Sequence, residues 1–200
     1  MIAAELLLEY GAKQVRFKKD DIIFDEGDRA NYYYELIEGN VKMINISTDG
    51  RHFIQGLFGG GESFGEPALL GDFLYPSTAV ALCQCSLWRL SKDQFLKLLK
   101  DHFEIHLMLD IVLCERIKQK SKILCDISFY EPEQRILNFI EQLKRKFPDS
   151  ISGNKHFIVP LTRQQMADMT GMRVETVIRT VKRMEEEQKL AIIDGKIHIS

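Results

Sequence analysis

The 200-residue chain contains no apolar run approaching the ~20 residues that a membrane-spanning helix requires, so no membrane association is expected. Its four cysteines, Cys83, Cys85, Cys114 and Cys125, are too few and too scattered for the disulfide framework of a small secreted domain. That usage suits a reducing compartment. Glu5 and Glu9 stand where a secretory signal would place basic residues, so the opening stretch is expected to be helix and the protein cytoplasmic. A glycine-rich phosphate loop with its lysine is missing, and so is any nucleophile motif. His102, His106 and Asp110 recur at i, i+4 and i+8, a spacing that can bind a metal, but without a further ligand motif they read as a solvated helix face. Neither an enzyme nor a metal site is expected.

With 45% hydrophobic and 28% charged residues the composition is that of an ordinary globular protein, long enough for two small domains with separate cores. The net charge of −2 argues weakly against nucleic acid, but its distribution points the other way. Residues 1–129 hold 15 basic against 19 acidic side chains, and residues 130–200 hold 12 against 10. Between Leu161 and Arg183 the ratio is five to two. Positive charge thus gathers in one stretch near the end of the chain.

From Val15 to Leu90, β-prone runs (Tyr32–Ile37, Val41–Ile46, His52–Phe58 and Thr78–Leu90) alternate with turn signals such as Glu38-Gly39-Asn40 and Thr48-Asp49-Gly50. Short strands at such spacing predict a β-barrel or sandwich. Asp49-Gly50 predicts a type I′ hairpin, because both residues tolerate positive φ. Along Thr78–Leu90, Val80 and Leu82 are expected on one face and Cys83 and Cys85 on the other. After Ser91, a good N-cap, the period changes from 2 to 3.6. A helix over Lys92–Lys100 is followed by a longer one over Asp101–Asp126, with the apolar seam Leu107, Ile111, Cys114, Ile117, Ser121 and Leu124. So long a helix, free of glycine and proline, is expected to pack against a symmetry mate as well as its own domain. The cysteines are expected to be buried small hydrophobes. Ser128–Pro132 is the expected hinge. A helix over Glu133–Lys146 follows, with Ile136, Leu137, Ile140 and Leu143 on one face, and Phe147–Ser150 ends it.

The segment Leu161–Arg179 carries the sharpest signal. Thr162 and Gln165 have capping-box spacing and start a short helix that buries Met166, Ala167 and Met169. Gly171 supplies a tight turn. A second helix over about Arg173–Gln188 buries Val177, Val181 and Met184 and exposes Arg173, Glu175, Thr176, Arg179 and Lys182. Helix, turn and a helix with basic and polar residues at its start are what a major-groove reader needs. Arginine can donate twice to guanine, and glutamate can accept from the cytosine amino group. Leu190–Ile193, Asp194-Gly195 and Lys196–Ile199 read as a two-stranded wing.

At these residues the sequence resembles the CRP/FNR superfamily of bacterial transcription regulators. The match is close at Leu161-Thr162, Gln164–Ala167, Thr170-Gly171, Glu175–Val177 and Arg179, and looser at Ile37–Val41, Gly61–Glu66 and Ser77–Ala79. The resemblance implies an α+β protein: an amino-terminal jelly-roll β-barrel of cyclic-nucleotide-binding type (1–100), a dimerisation helix and hinge (101–128) and a carboxy-terminal winged helix-turn-helix (129–200). It implies a homodimer that binds double-stranded DNA at a palindromic promoter site, contacts RNA polymerase and responds to an effector. Base-reading positions fall on Val174, Glu175, Ile178 and Arg179, with Glu175 and Arg179 matching the family's readers of inner G·C pairs. Val174 resembles the branch that reads a TTGA-type half-site, whereas the cyclic-AMP branch has arginine there. Ile178 departs from the small or hydroxylic residue common at its position. Arg173 replaces the usual Ser/Thr cap, and Thr162, Arg163, Gln164 and Lys182 fall on backbone-contacting positions.

In nucleotide-binding relatives a Gly-Glu pair and an Arg-Ser pair cradle the phosphate. Here Gly65 and Glu66 are present, but Pro76 stands in the arginine position before Ser77 and Thr78, which removes the bidentate partner of a phosphate. Effector binding, if assigned from the resemblance, falls on Gly65, Glu66, Ser77 and Thr78, and classical cyclic AMP binding is not expected. The oxygen-sensing branch holds an iron–sulfur cluster through cysteines near its amino terminus. None precedes Cys83, so no such cluster is expected. The competing reading is a ligand-binding regulatory module acting mainly through protein–protein contacts, and the basic residues of the second helix weigh against it.

Overall fold

The β-prone runs between Lys13 and Ser91 resolve into eight strands: β1 (Lys13–Phe17), β2 (Ile22–Phe24), β3 (Tyr32–Glu38), β4 (Val41–Ile46), β5 (His52–Phe58), β6 (Ser63–Phe64), β7 (Thr78–Ala81) and β8 (Cys85–Ser91). They pair antiparallel in two sheets, ordered β1-β8-β3-β6 and β2-β7-β4-β5. Chain-distant neighbours such as β1 with β8 and β2 with β7 are those of a jelly roll. One core draws on both sheets, with Leu36, Leu87 and Leu90 from the first and Val41, Ala79 and Ala81 from the second. Trp88, on β8, is half-buried against it. Helices α1 (Ala4–Glu9), α2 (Glu66–Gly71) and α3 (Lys92–Asp101) complete this part, α3 burying Phe95, Leu98 and Leu99. The computed structural model describes residues 2–146, 151–152 and 156–199. It divides into two units, Met1–Cys114 and Glu115–Ser200.

Several expectations are corrected here. Thr78–Leu90 is two strands, because the chain crosses from one sheet to the other at Leu82–Gln84. The Leu82 N–H donates to the Asn40 carbonyl (2.8 Å), and the Cys85 thiol donates to the carbonyls of Asn40 and Cys83 (both 3.2 Å). Cys85 is buried and Cys83 half-buried. The crossing requires glycine at Gly39, where φ is 92° and a Cβ would lie 2.7 Å from Cys85 Sγ. The β4–β5 turn is not type I′: of its residues only Gly50 has positive φ (78°). The Ser47 N–H instead reaches the Arg51 carbonyl (2.9 Å), closing a three-residue loop. Ser91 precedes α3 without a side-chain cap, and the Lys92 N–H donates to the Asn31 carbonyl (2.9 Å).

The next helix, α4 (Phe103–Phe129), starts after a break at His102 (φ −129°, ψ 83°) and runs two residues into the expected hinge, so that the break before the next helix falls within Ser128–Pro132. Ser128 stays helical, its hydroxyl donating to the Leu124 carbonyl (2.8 Å). Only Tyr130 and Glu131 separate α4 from α5 (Pro132–Lys146). Because His102 lies outside α4, the row His102–His106–Asp110 is not one helix face. Among the described residues no group of three or more His, Cys, Asp or Glu is placed to hold a metal ion, and no helix is long and apolar enough to cross a membrane. Leu109 is buried in the first core and Ile105 and Leu113 pack on it, but the predicted seam faces outward. Leu107, Ile111, Ile117 and Leu124 are 49%, 58%, 64% and 65% exposed. Cys114 and Cys125 are exposed too, contrary to the buried role expected of them.

In the second unit α5 buries Ile136, Ile140 and Leu143 against α6 (Arg163–Thr170) and α7 (Val174–Glu186). Strands β9 (Ile151–Ser152), β10 (His156–Ile158), β11 (Ala191–Ile193) and β12 (Lys196–Ile199) form a sheet ordered β11-β12-β10-β9, wider than the expected hairpin. Asp194 (φ 49°) and Gly195 (φ 75°) both take positive φ, as a type I′ turn demands. The expected helix end at Phe147–Ser150 lies outside the described residues.

Candidate nucleic-acid interface

Both halves of the capping box form at the start of α6. The Gln165 N–H donates to Thr162 Oγ1 (3.1 Å), and the Thr162 N–H donates to Gln165 Oε1 (2.9 Å). Two orphan amides are thereby satisfied where the helix faces solvent. At the other end Gly171 ends α6 in the left-handed region (φ 66°, ψ 26°). The Thr170 hydroxyl donates back to the Met166 carbonyl (2.6 Å), and the Arg135 guanidinium donates to the Thr170 carbonyl. On the same helix as Arg135, Asn138 donates to buried Asp126 (2.8 Å). The turn of the helix-turn-helix is therefore tied to α5 by the Arg135 side chain as well as by the core.

Helix α7 has two unlike faces. Val177, Thr180, Val181 and Met184 are buried. Glu175, Ile178, Arg179 and Lys182, spaced as one stripe at i, i+3, i+4 and i+7, are exposed, and Arg173 is exposed at the N-cap. Val174 and Thr176 are only half-exposed, Val174 packing on the second core. Arg173 makes no side-chain cap. Thr162 and Gln164 are exposed at the start of α6, where Gln164 donates to Asp168 (2.7 Å). Arg163 is half-buried, and that burial lowers its guanidinium pKa while Glu185 pulls it back up. Among the described residues Arg173, Arg179 and Lys182 form no salt bridge.

Two basic residues beyond this stripe are committed elsewhere. Arg183 lies 3.3 Å from Glu133, and Lys189 lies 2.5 Å from Glu133 and 2.7 Å from Glu187. The hydrogen bond from Lys189 holds the Glu133 carboxyl below its ordinary range, and the same bond raises Lys189. Sequence reasoning counted Arg183 only among the basic residues of the second helix and gave Glu133, Arg135 and Asn138 no role. Glu133 and Arg183 are 50 residues apart, so no local pattern links them.

In the first unit, Gly65 adopts φ 82°, with the rings of Phe24 and Tyr75 each 3.1 Å from where a Cβ would sit. Those rings stack on one another, centroids 3.6 Å apart and planes 9° from parallel. Phe64 and Tyr34 join the cluster. Burial pushes the phenols of Tyr33, Tyr34 and Tyr75 above their ordinary range. Glu66 is fully buried and accepts from the Ser63 hydroxyl. Ser77 is fully buried, and among the described residues its hydroxyl finds no hydrogen-bond partner. Thr78 Oγ1 accepts from the Glu26 N–H (3.0 Å), and the Pro76 carbonyl accepts from Asn45 (2.6 Å).

Comparison with known proteins matches both units. A cyclic nucleotide-binding domain model covers residues 14–102, and a Crp-like helix-turn-helix domain model covers residues 134–200. The chain is 26% identical over 182 residues to the cAMP-activated global transcriptional regulator CRP of Pasteurella multocida, covering 90% of this chain and 86% of that protein. It is 23% identical over 205 residues to the nitrogen fixation regulation protein FixK of Bradyrhizobium diazoefficiens, covering 98% and 82%. Among solved structures, the c-di-GMP responsive global regulator CLP of Xanthomonas campestris shares the fold, with a TM-score of 0.85 at 23% identity over 98% of this chain and 96% of that one. With a cyclic nucleotide-binding domain and a Crp-like helix-turn-helix domain matched in that order over most of the chain, the chain belongs to the CRP/FNR family of transcription regulators.

Proposed function

We propose that the protein is a homodimeric, sequence-specific regulator that reads a palindromic promoter site through α7. The two-faced chemistry of α7 carries this reading: one side is buried, and the other offers Arg173, Glu175, Arg179 and Lys182, which form no salt bridge among the described residues. Arg179 donates in bidentate fashion to guanine, and Glu175 accepts from cytosine. Thr162, Arg163, Gln164, Arg173 and Lys182 meet phosphates, which fixes register without reading sequence. Val174 and Thr176 line the edge of the reading face.

The outward seam of α4 supports dimerisation, since Leu107, Ile111, Cys114, Ile117 and Leu124 form a contiguous apolar strip that a second copy would cover. A two-fold dimer presents two α7 helices and therefore calls for two inverted half-sites. In this division residues 1–100 are the sensor, 101–128 the dimerisation helix and hinge, and 129–200 the DNA-binding domain, which acts on RNA polymerase from the promoter.

The sensor is not a cradle for cyclic AMP. Phe24 and Tyr75 fill the space against Gly65, Glu66 is turned into the core, and Pro76 replaces the cation a phosphate needs. The lone buried hydroxyl of Ser77 does not substitute for a guanidinium. Selection of random duplex DNA on the purified protein, at fixed near-physiological salt and with or without cyclic AMP, tests the whole reading. A two-fold palindrome recovered equally in both conditions is expected. Binding that appeared only with the nucleotide would overturn the account of the sensor, and a non-palindromic site would overturn the dimer.

A further inference from the structure

Ile178 is the one apolar residue of α7 that the second core does not cover. Val177, Val181 and Met184 are buried, Val174 packs on the core, and Ile178 is 50% exposed. A single exposed isoleucine is unremarkable on an ordinary surface. This one lies inside the charged stripe, three residues after Glu175, next to Arg179 and four residues before Lys182. Its neighbours are groups that donate to or accept from base edges and phosphates. An isoleucine can do neither.

We infer that Ile178 is a specificity-determining residue that packs on the C5-methyl group of a thymine in each half-site, an inference that rests on reading α7 as the DNA-contacting helix. The major-groove edges present donors, acceptors and a single kind of apolar group, the thymine methyl. Facing any other base edge, the Ile178 side chain would cover a donor or acceptor and leave it without a partner, which disfavours that base. Facing the methyl, it removes apolar surface from water on both sides. As a β-branched residue in a helix it holds essentially one χ1 rotamer, so little side-chain freedom is lost on contact. Helical side chains lean toward the N-terminus, over the preceding turn. The thymine therefore lies beside the base pair that Glu175 contacts. The position also selects against unmethylated cytosine while accepting 5-methylcytosine, which carries the same group.

The test begins from the palindrome selected by the wild-type protein. Each thymine of a half-site is replaced in turn by deoxyuridine, which deletes only the methyl, and affinity is measured at one salt concentration for wild type and for Ile178→Ser. One thymine per half-site should lose about fourfold in wild type, the value of one buried methyl group, and about fifteenfold when both half-sites are changed. Ile178→Ser should bind the thymine and uracil versions of that position alike. Placing cytosine there should weaken wild-type binding, and 5-methylcytosine should restore it in part. A wild-type profile with no methyl-sensitive thymine, or a penalty that persists in Ile178→Ser, overturns the inference while the palindrome stands. Failure of the wild-type protein to select any DNA sequence overturns the DNA-reading proposal itself, and this inference with it.

Discussion

At the start of α6 the orphan amides are met by a reciprocal pair, with Thr162 and Gln165 each accepting from the other's backbone. At the start of α7, Arg173 occupies the same position and caps nothing. It also sets a cation against the positive end of the helix dipole. One start is satisfied within the chain, and the other, on the function proposed above, is left for the phosphates of DNA. Leaving the start of α7 without a side-chain cap costs stability that the start of α6 does not give up.

Four substitutions bear on this contrast. The largest effect is expected for Arg179→Ala, which should abolish preference for the selected palindrome over random DNA. Each bidentate contact contributes about 1–3 kcal/mol of discrimination and a dimer has two. Because Arg179 is exposed, the melting temperature should not move. A variant that kept the wild-type preference would mean that α7 does not read bases. Thr162→Ala should lower the stability of the second unit by about 1 kcal/mol while leaving base preference unchanged, as followed by denaturant titration and binding.

Arg173→Ser should move the two quantities in opposite directions. Stability should rise by up to about 1 kcal/mol as the cap is restored. Affinity should fall to a similar extent across all sequences, with a shallower dependence on salt. Loss of both together would place Arg173 in the folded core of the motif instead of at its open terminus. The smallest effect belongs to Glu133→Gln, expected to cost under about 1 kcal/mol at neutral pH. The folded carboxyl titrates below its ordinary range, so its contribution is present above the unfolded value and is lost as pH falls through the folded one. The difference between variant and wild type should therefore vanish in acid.

The motif was legible because its signals are local. A capping box is an i, i+3 pattern, a turn glycine is one residue, and Asp194-Gly195 carries its turn type in two. Where the same reasoning was applied to Asp49-Gly50 it named the hairpin but mistook the turn, since Ser47 and Arg51 lengthen the loop through their own hydrogen bonds. The crossing at Cys83-Gln84-Cys85 has no glycine or proline and keeps a strand-like alternation, so nothing local announces it. What breaks the strand is a carbonyl at Asn40, more than 40 residues away. Helix α2 was not foreseen, although Pro67 stands in its first turn, where proline is at home. The outward seam of α4 was visible as a seam, but its exposure depends on which side the first core takes, and that is decided by contacts with Leu109 and Leu113.

Trp88 is the only tryptophan in the chain, and it lies on β8 of the first unit. Emission excited at the red edge of the tryptophan band therefore reports on the first unit, while the helix-rich second unit contributes no tryptophan to that signal. Denaturation followed by fluorescence and by far-ultraviolet circular dichroism would give coincident curves if the chain unfolds as one cooperative system, and separate midpoints if its two cores melt independently. The protein thus carries a built-in spectroscopic label on one unit alone.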